Sequence, residues 1–340
     1  MKDKAKGALG LLLGCALLCA SCGTGPEDID VSHLELDFKI KRFEQALFQL
    51  STDSVEHQIQ ELEKEYGEFF TFFAAGSINI GRRDNPSFST SLMGFVKDAQ
   101  INDVLSEVNT VFDNVDALEA DLKDAFKHYM YYFPGQPVPQ IVTYISGFNS
   151  SLMATDKALG VGLDMYLGES CKYYQMLTLP QYKIQNMVPE MIVSNCMRGW
   201  LTSEMVMDDE HSSLLEQMIY QGKVLYYLDH VIPNEEDRYK IGFTADQLLW
   251  CNRNEEEMWK HLVDEKLLYT TDFTKIIKYV GEAPFTVGFP DGSPGRTGWW
   301  LGWQIVKAFM ENNEALSLAE LMQMKDAEYI LRNSKYKPNR

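Results

Sequence analysis

The chain has 340 residues, is 45% hydrophobic and 24% charged, and carries a net charge of −18. That composition fits a globular protein with a sizeable core. So acidic a surface excludes nucleic-acid binding, which needs a positive field to draw in phosphates.

The first residues read as an export signal, outside the fold. Lys2, Lys4 and Lys6 precede the apolar run "ALGLLLGCALLCA", which is too short to span a bilayer comfortably. The run ends in "CASCG", where Ala20 and Ser21 stand before Cys22. This resembles a bacterial lipobox, with Cys19 in the place of the usual leucine. On that reading residues 1–21 are a lipoprotein signal peptide and Cys22 is acylated, so the partner of the N-terminus is a lipid bilayer. Each buried methylene contributes about 0.8 kcal/mol, and more than one chain makes the anchor stable. Gly23 follows the cysteine where aspartate would retain a lipoprotein in the inner membrane, which favours the outer membrane. An ordinary cleaved signal with incidental cysteines is the bland alternative. Residues 22–35 then form a polar tether and 36–340 a single globular domain.

From about Asp37 to Met130 the spacing predicts helices. Leu50, Val55, Ile59 and Leu62 recur near helical period, followed by Tyr66, Phe69, Phe70 and Phe73. Gly76 fits a helix stop, and "NIGRRDNPSFS" is a loop. Two or more amphipathic helices follow, ending at Pro134, Gly135 and Pro137. "PQIVTYISGFNSS" and "ALGVGLDMYLG" are β-branched and glycine-bounded, which predicts two strands of a small sheet. Helices resume through "LLEQMIYQGKVLYYLDHVIP". "TADQLLWCNRNEEEMWKHLVDEKLLY" reads as one further helix, with Leu248, Leu249, Met258, Leu262 and Leu267 as its apolar positions. A glycine-punctuated loop then enters the helix "GWWLGWQIVKAFMENN", and "SLAELMQMKDAEYILRNSKYKP" closes the chain. The expected fold is mainly α with a small β-sheet, an α+β domain.

Motifs for familiar chemistry are missing. Six histidines are scattered with no H-x-x-x-H, and neither a phosphate loop nor a GxSxG elbow is present. No cofactor is called for. Cys171, Cys196 and Cys251 have no CxxC spacing and read as buried thiols. Paired carboxylates such as Asp229 with Asp246 can be proposed without limit among 49 acids, so they carry no weight. The loop "GFPDGSPGRTGWWLG" has two readings. Its glycines let it pack against the next helix, or it is a recognition surface in which Arg296 offers a forked donor and Trp299 and Trp300 offer flat contacts. Core packing is the blander fate of these tryptophans.

One stretch raises a sharper question. "NMVPEMIVSN" places Glu190 alone among apolar residues, like an H-E-x-x-H helix stripped of its histidines. Pro189 and Val193 stand where the two zinc ligands would be.

The segments "YISGFN", "GLDMYLG", "MIYQGK", "NEEEMWKHLVDEKLLY", "EAPFTVGFPDGSPGRTGWWLGWQIV" and "SKYKP" resemble, in order, the gliding-motility lipoprotein family GldB of the Bacteroidetes. The resemblance runs from about Asp37 to the end. It implies an envelope lipoprotein associated with gliding and its linked secretion machinery, with other envelope proteins as partners. That family is in turn similar to predicted zinc peptidases bearing H-E-x-x-H and a later E-G-x-A segment. Carried across, Pro189, Glu190 and Val193 occupy the first motif, and Gln221 replaces the ligand glutamate before Gly222. Proline and valine have no metal-binding atom, and a neutral amide is a poor zinc ligand. The resemblance therefore implies a degenerate zincin-like helical domain with no metal and no catalytic residue, acting by protein contacts. Glu190 either complements the positive end of a helix whose first residue is Pro189, contributing about 0.3–1 kcal/mol, or it lines an inherited groove with Arg198. The alternative function is a peptide- or cell-wall-directed hydrolase or binding module using an unrecognised site.

Overall fold

The computed structural model describes residues 29–205, 207 and 211–339. The signal 1–21, Cys22 and the first part of the tether lie outside the described residues. Strand β1 (Lys41–Arg42) leads into helices α1 (Phe43–Leu47), α2 (Val55–Tyr66), α3 (Glu68–Phe72) and α4 (Phe88–Lys97). Ile59 and Leu62 lie about one turn apart on α2 and are both buried, as their spacing predicts. Phe43 meets Phe69, Phe70 and Phe73 edge-on at centroid distances of 4.9 to 6.0 Å, the arrangement that ring quadrupoles favour. These rings centre a small aromatic core.

Helices α5 (Ala99–Val111) and α6 (Asp116–Tyr132) follow, and α6 stops just before Pro134. The chain then lays down β2 (Gln140–Tyr144), β3 (Leu152–Ala154) and β4 (Ala158–Gly162). The sheet order is β1-β2-β4-β3, with β3 antiparallel to β4 and the other pairs parallel. Successive strand residues face opposite sides. Val142 and Tyr144 therefore enter the aromatic core, whereas Ile141 enters a second, larger one. The sheet lies between the two. The sequence pattern anticipated β2 and β4 but not β1 and β3.

The larger core is built by α7 (Lys172–Met176), α8 (Gln181–Ile184), α9 (Met191–Glu204), α10 (Leu214–Val231), α11 (Asp237–Ile241), α12 (Ala245–Arg253), α13 (Glu255–Asp264), α14 (Phe273–Val280), α15 (Thr297–Glu311), α16 (Leu318–Gln323) and α17 (Ala327–Ser334). At its centre α10 crosses α15. A capping box of Ser213 and Glu216 starts α10 and satisfies its first amides. The single helix expected from 244 to 269 is two. It breaks at Asn254, whose N–H turns back to the carbonyls of Trp250 and Cys251, and Leu249 of its expected apolar face is exposed. Cys171, Cys196 and Cys251 are free and buried. No described helix is long and apolar enough to cross a membrane. The architecture is mainly α with a small mixed sheet, as expected.

Candidate functional site

The degenerate motif lies at the entrance to α9. That helix begins at Met191, two residues later than expected, so Pro189 sits in the turn before it and accepts a hydrogen bond from the Ile192 N–H at 3.1 Å. Glu190 is the N-cap residue, but its backbone is already helical and its side chain caps nothing. The carboxylate is exposed. Arg238, whose charge is favoured first by its hydrogen bond to Glu236, also feels Glu190. Val193 is buried, beside Asp121, Asp124 and Ile232. Gln221 is half-buried on α10. Among the described residues, no three His, Cys, Asp or Glu side chains gather so that they could hold a metal ion. The donor set does not fit zinc, because proline and valine offer nothing to coordinate.

Several shared motif residues serve the architecture. "YISGFN" and "GLDMYLG" meet at the buried Asp164, whose Oδ2 accepts from the Ser146 N–H at 3.1 Å and the Phe148 N–H at 2.6 Å. Its Oδ1 has no partner. Burial, opposed by these hydrogen bonds, raises the Asp164 pKa to about 6. In "MIYQGK", the Lys223 ammonium donates to the Met322 and Met324 carbonyls at 3.3 and 2.8 Å and so closes the end of α16.

Arg198, Arg296 and Trp299 come together although they lie on different elements. Arg198 projects from α9, and Arg296 precedes α15 with a left-handed φ of 57°. The loop before it is held by the buried Thr286, whose hydroxyl donates to the Pro294 carbonyl at 2.7 Å. Both guanidiniums lie against the Trp299 ring, at 5.1 Å for Arg198 and 4.9 Å for Arg296. Both also reach the C-terminal end of α11: Arg198 Nη2 donates to the Lys240 carbonyl, and Arg296 Nη2 to the Gly242 carbonyl at 3.3 Å. Trp299 is partly exposed. Trp300 does not join this surface. It is 1% exposed, because a step of one residue on a helix turns its side chain about 100° toward the core.

A cleft of about 960 Å³ opens between the ends of α6, α10 and α15, a position that sequence reading missed. Its floor is the buried Asp229 carboxylate, which takes Lys240 at 3.0 Å, the Trp303 indole N–H at 2.8 Å and Lys307 at 3.5 Å. His230 beside it has Nδ1 at 2.8 Å from the Tyr226 carbonyl, and Tyr132 and Tyr226 pack on its ring. The only sequence signal was an acid and a histidine inside an apolar helix.

A family model described as "Gliding motility protein GldB" matches residues 24–338. The chain belongs to the GldB family. Membership makes it a gliding-motility-associated lipoprotein of the cell envelope. The GldB match covers both cores, the Arg198–Arg296–Trp299 cluster and the cleft. No curated protein and no solved structure matches the chain.

Proposed function

We propose that this GldB protein is anchored in the outer membrane through acylated Cys22 and works in a motility or secretion apparatus by contact with other envelope proteins, without catalysis. Residues 36–340 act as one domain in which two cores share a sheet. The domain keeps a peptidase-like fold. Its motif positions Pro189, Val193 and Gln221 give Glu190 no metal-activated water to work on. The observation that carries the contact reading is the surface of Trp299 with two guanidiniums against it, since Arg and Trp dominate the energetics of protein interfaces. A photo-crosslinking residue at Phe285 (54% exposed, on the loop that leads to this surface) tests it in intact cells. A protein adduct that disappears in an Arg198→Ala, Arg296→Ala variant is expected. Adducts unchanged by those substitutions would count against the reading. Cys22→Ser is expected to move the protein out of the membrane fraction.

The cleft above Asp229 favours a second reading, a binding module for a small peptide or glycan. Its size is that of a small-ligand site, and it brings tyrosines, a histidine and a lysine together. A screen of cell-wall peptides and glycans against wild type and Tyr226→Ala separates the two readings.

A further inference from the structure

We infer that the Arg198–Arg296–Trp299 surface binds a carboxylate presented by a protein partner; this rests on the contact reading above. Two cations sit side by side here without an anion. Among the described residues no carboxylate forms an ion pair with either guanidinium. The acid that acts on Arg296, Glu282, is already engaged by Lys183 at 3.9 Å, and the group that favours the charge of Arg198 is the Tyr220 phenol, not a carboxylate. Arg198 Nη1 is shut off from solvent and donates to nothing. In a chain with 49 acidic residues such an omission is unexpected, because a buried charge is ordinarily paired.

The bland account makes both arginines caps for α11. They do meet its last carbonyls, and a helix C-terminus welcomes cations. That end supplies only about half an elementary charge, however, against two guanidiniums. Each contributes one Nη2 to a carbonyl, and the remaining donors are left over. Burial and the neighbouring Arg296 both press against the charge of Arg198, with the Tyr220 phenol opposing them. A partner's carboxylate docked over the Trp299 ring would supply the missing countercharge to both guanidiniums, and the planar fork of Arg296 suits its two oxygens. The half-exposed Trp299 ring, with Phe285 and Val287 exposed on the preceding loop, offers flat apolar contact to the chain that carries it.

The test uses the full-length protein in detergent and follows tryptophan fluorescence. Four probes are titrated: a neutral hexapeptide with a free C-terminal carboxylate, the same peptide amidated, a blocked peptide with a central glutamate, and inorganic phosphate. Binding of either carboxylate peptide but not the amide is expected, and the arm that binds tells a chain terminus from an acidic side chain. Arg198→Met and Arg296→Met should each weaken binding at least about tenfold, the loss of one charge-assisted hydrogen bond. Arg198→Met should also hold or raise Tm, since it removes an uncompensated charge. Equal binding of the amide, tighter binding of phosphate, no binding of either carboxylate peptide, or a lowered Tm with unchanged affinity overturns the inference. Carboxylate binding without cellular adducts at position 285 would sink the contact reading and leave this assignment standing. Adducts that disappear in the Arg198→Ala, Arg296→Ala variant while neither carboxylate peptide binds would do the reverse.

Discussion

Gly222 of α10 and Gly302 of α15 meet backbone to backbone. A Cβ on Gly222 would lie 2.3 Å from the Gly302 carbonyl carbon, and one on Gly302 would lie 1.8 Å from the Met218 carbonyl oxygen. Neither backbone can yield without separating the two helices at the centre of the larger core. The glycine of "MIYQGK" therefore answers to helix packing and not to a ligand. Overpacking costs about 1–3 kcal/mol, occasionally more, and here the obstruction is main chain. Gly222→Ala is expected to destabilise by about 3 kcal/mol, read as a lower urea midpoint. A shift worth less than about 1 kcal/mol would contradict the close crossing.

Asp164 makes a prediction about pH. Its folded pKa of about 6 stands above the ordinary 3.8. The folded state thus holds this proton more tightly than the unfolded chain does. The contribution of Asp164 to stability is complete below about pH 3.8 and is lost as pH rises through about 6. Asp164→Asn keeps an oxygen for the Ser146 and Phe148 N–H groups but has no proton to lose. The difference in stability between variant and wild type should shift in the variant's favour by about 3 kcal/mol between those limits. A difference that stays constant with pH would remove the buried-charge account of this carboxylate.

Asp229 and Lys240 form a buried pair at 3.0 Å. Taking away one member leaves the other uncompensated, at a cost of about 3–5 kcal/mol. The two losses should differ. Lys240 keeps Asp237 at 3.2 Å on a half-exposed side, while Asp229 keeps Trp303 and Lys307. Asp229→Asn should therefore cost more than Lys240→Met, because it takes the buried carboxylate from two ammonium groups at once, whereas Lys240→Met leaves Asp229 the Lys307 ammonium. The double variant should recover part of the sum. Strict additivity in chemical denaturation would mean that the pair is not coupled.

The legible parts of this chain were those with periodic apolar spacing. Ile59 and Leu62 announce α2, and "QIVTY" announces β2, because burial of one face repeats in the sequence. Strands β1 and β3 are two and three residues long, too short for any alternation to register. The break at Asn254 was hidden because neither glycine nor proline marks it. Arg198 and Arg296 were singled out for their chemistry, and only α11, offering its carbonyls to both, explains why they meet. The cleft was illegible for a related reason. Asp229 and His230 stand in a helix interior, and nothing local shows that Lys240 and Lys307 close over the acid from two other elements.

His230 gives the cleft a defined polarity. A carbonyl oxygen can only accept, so the contact with Tyr226 puts the proton on Nδ1 and leaves Nε2 as an acceptor. Burial lowers the pKa of His230 from 6.5, with Lys240 and Lys307 acting in the same direction and the Tyr226 carbonyl and Asp229 opposing. The unfolded chain therefore takes up this proton first as pH falls, and the protein loses stability below about pH 6.5 on account of this residue. His230→Gln should remove that part of the acid sensitivity. Nitrogen-15 NMR of labelled histidine is expected to find the Nδ1–H tautomer and a midpoint below 6.5. An Nε2–H tautomer, or a midpoint at or above that value, would mean that the imidazole does not present an acceptor to the cleft.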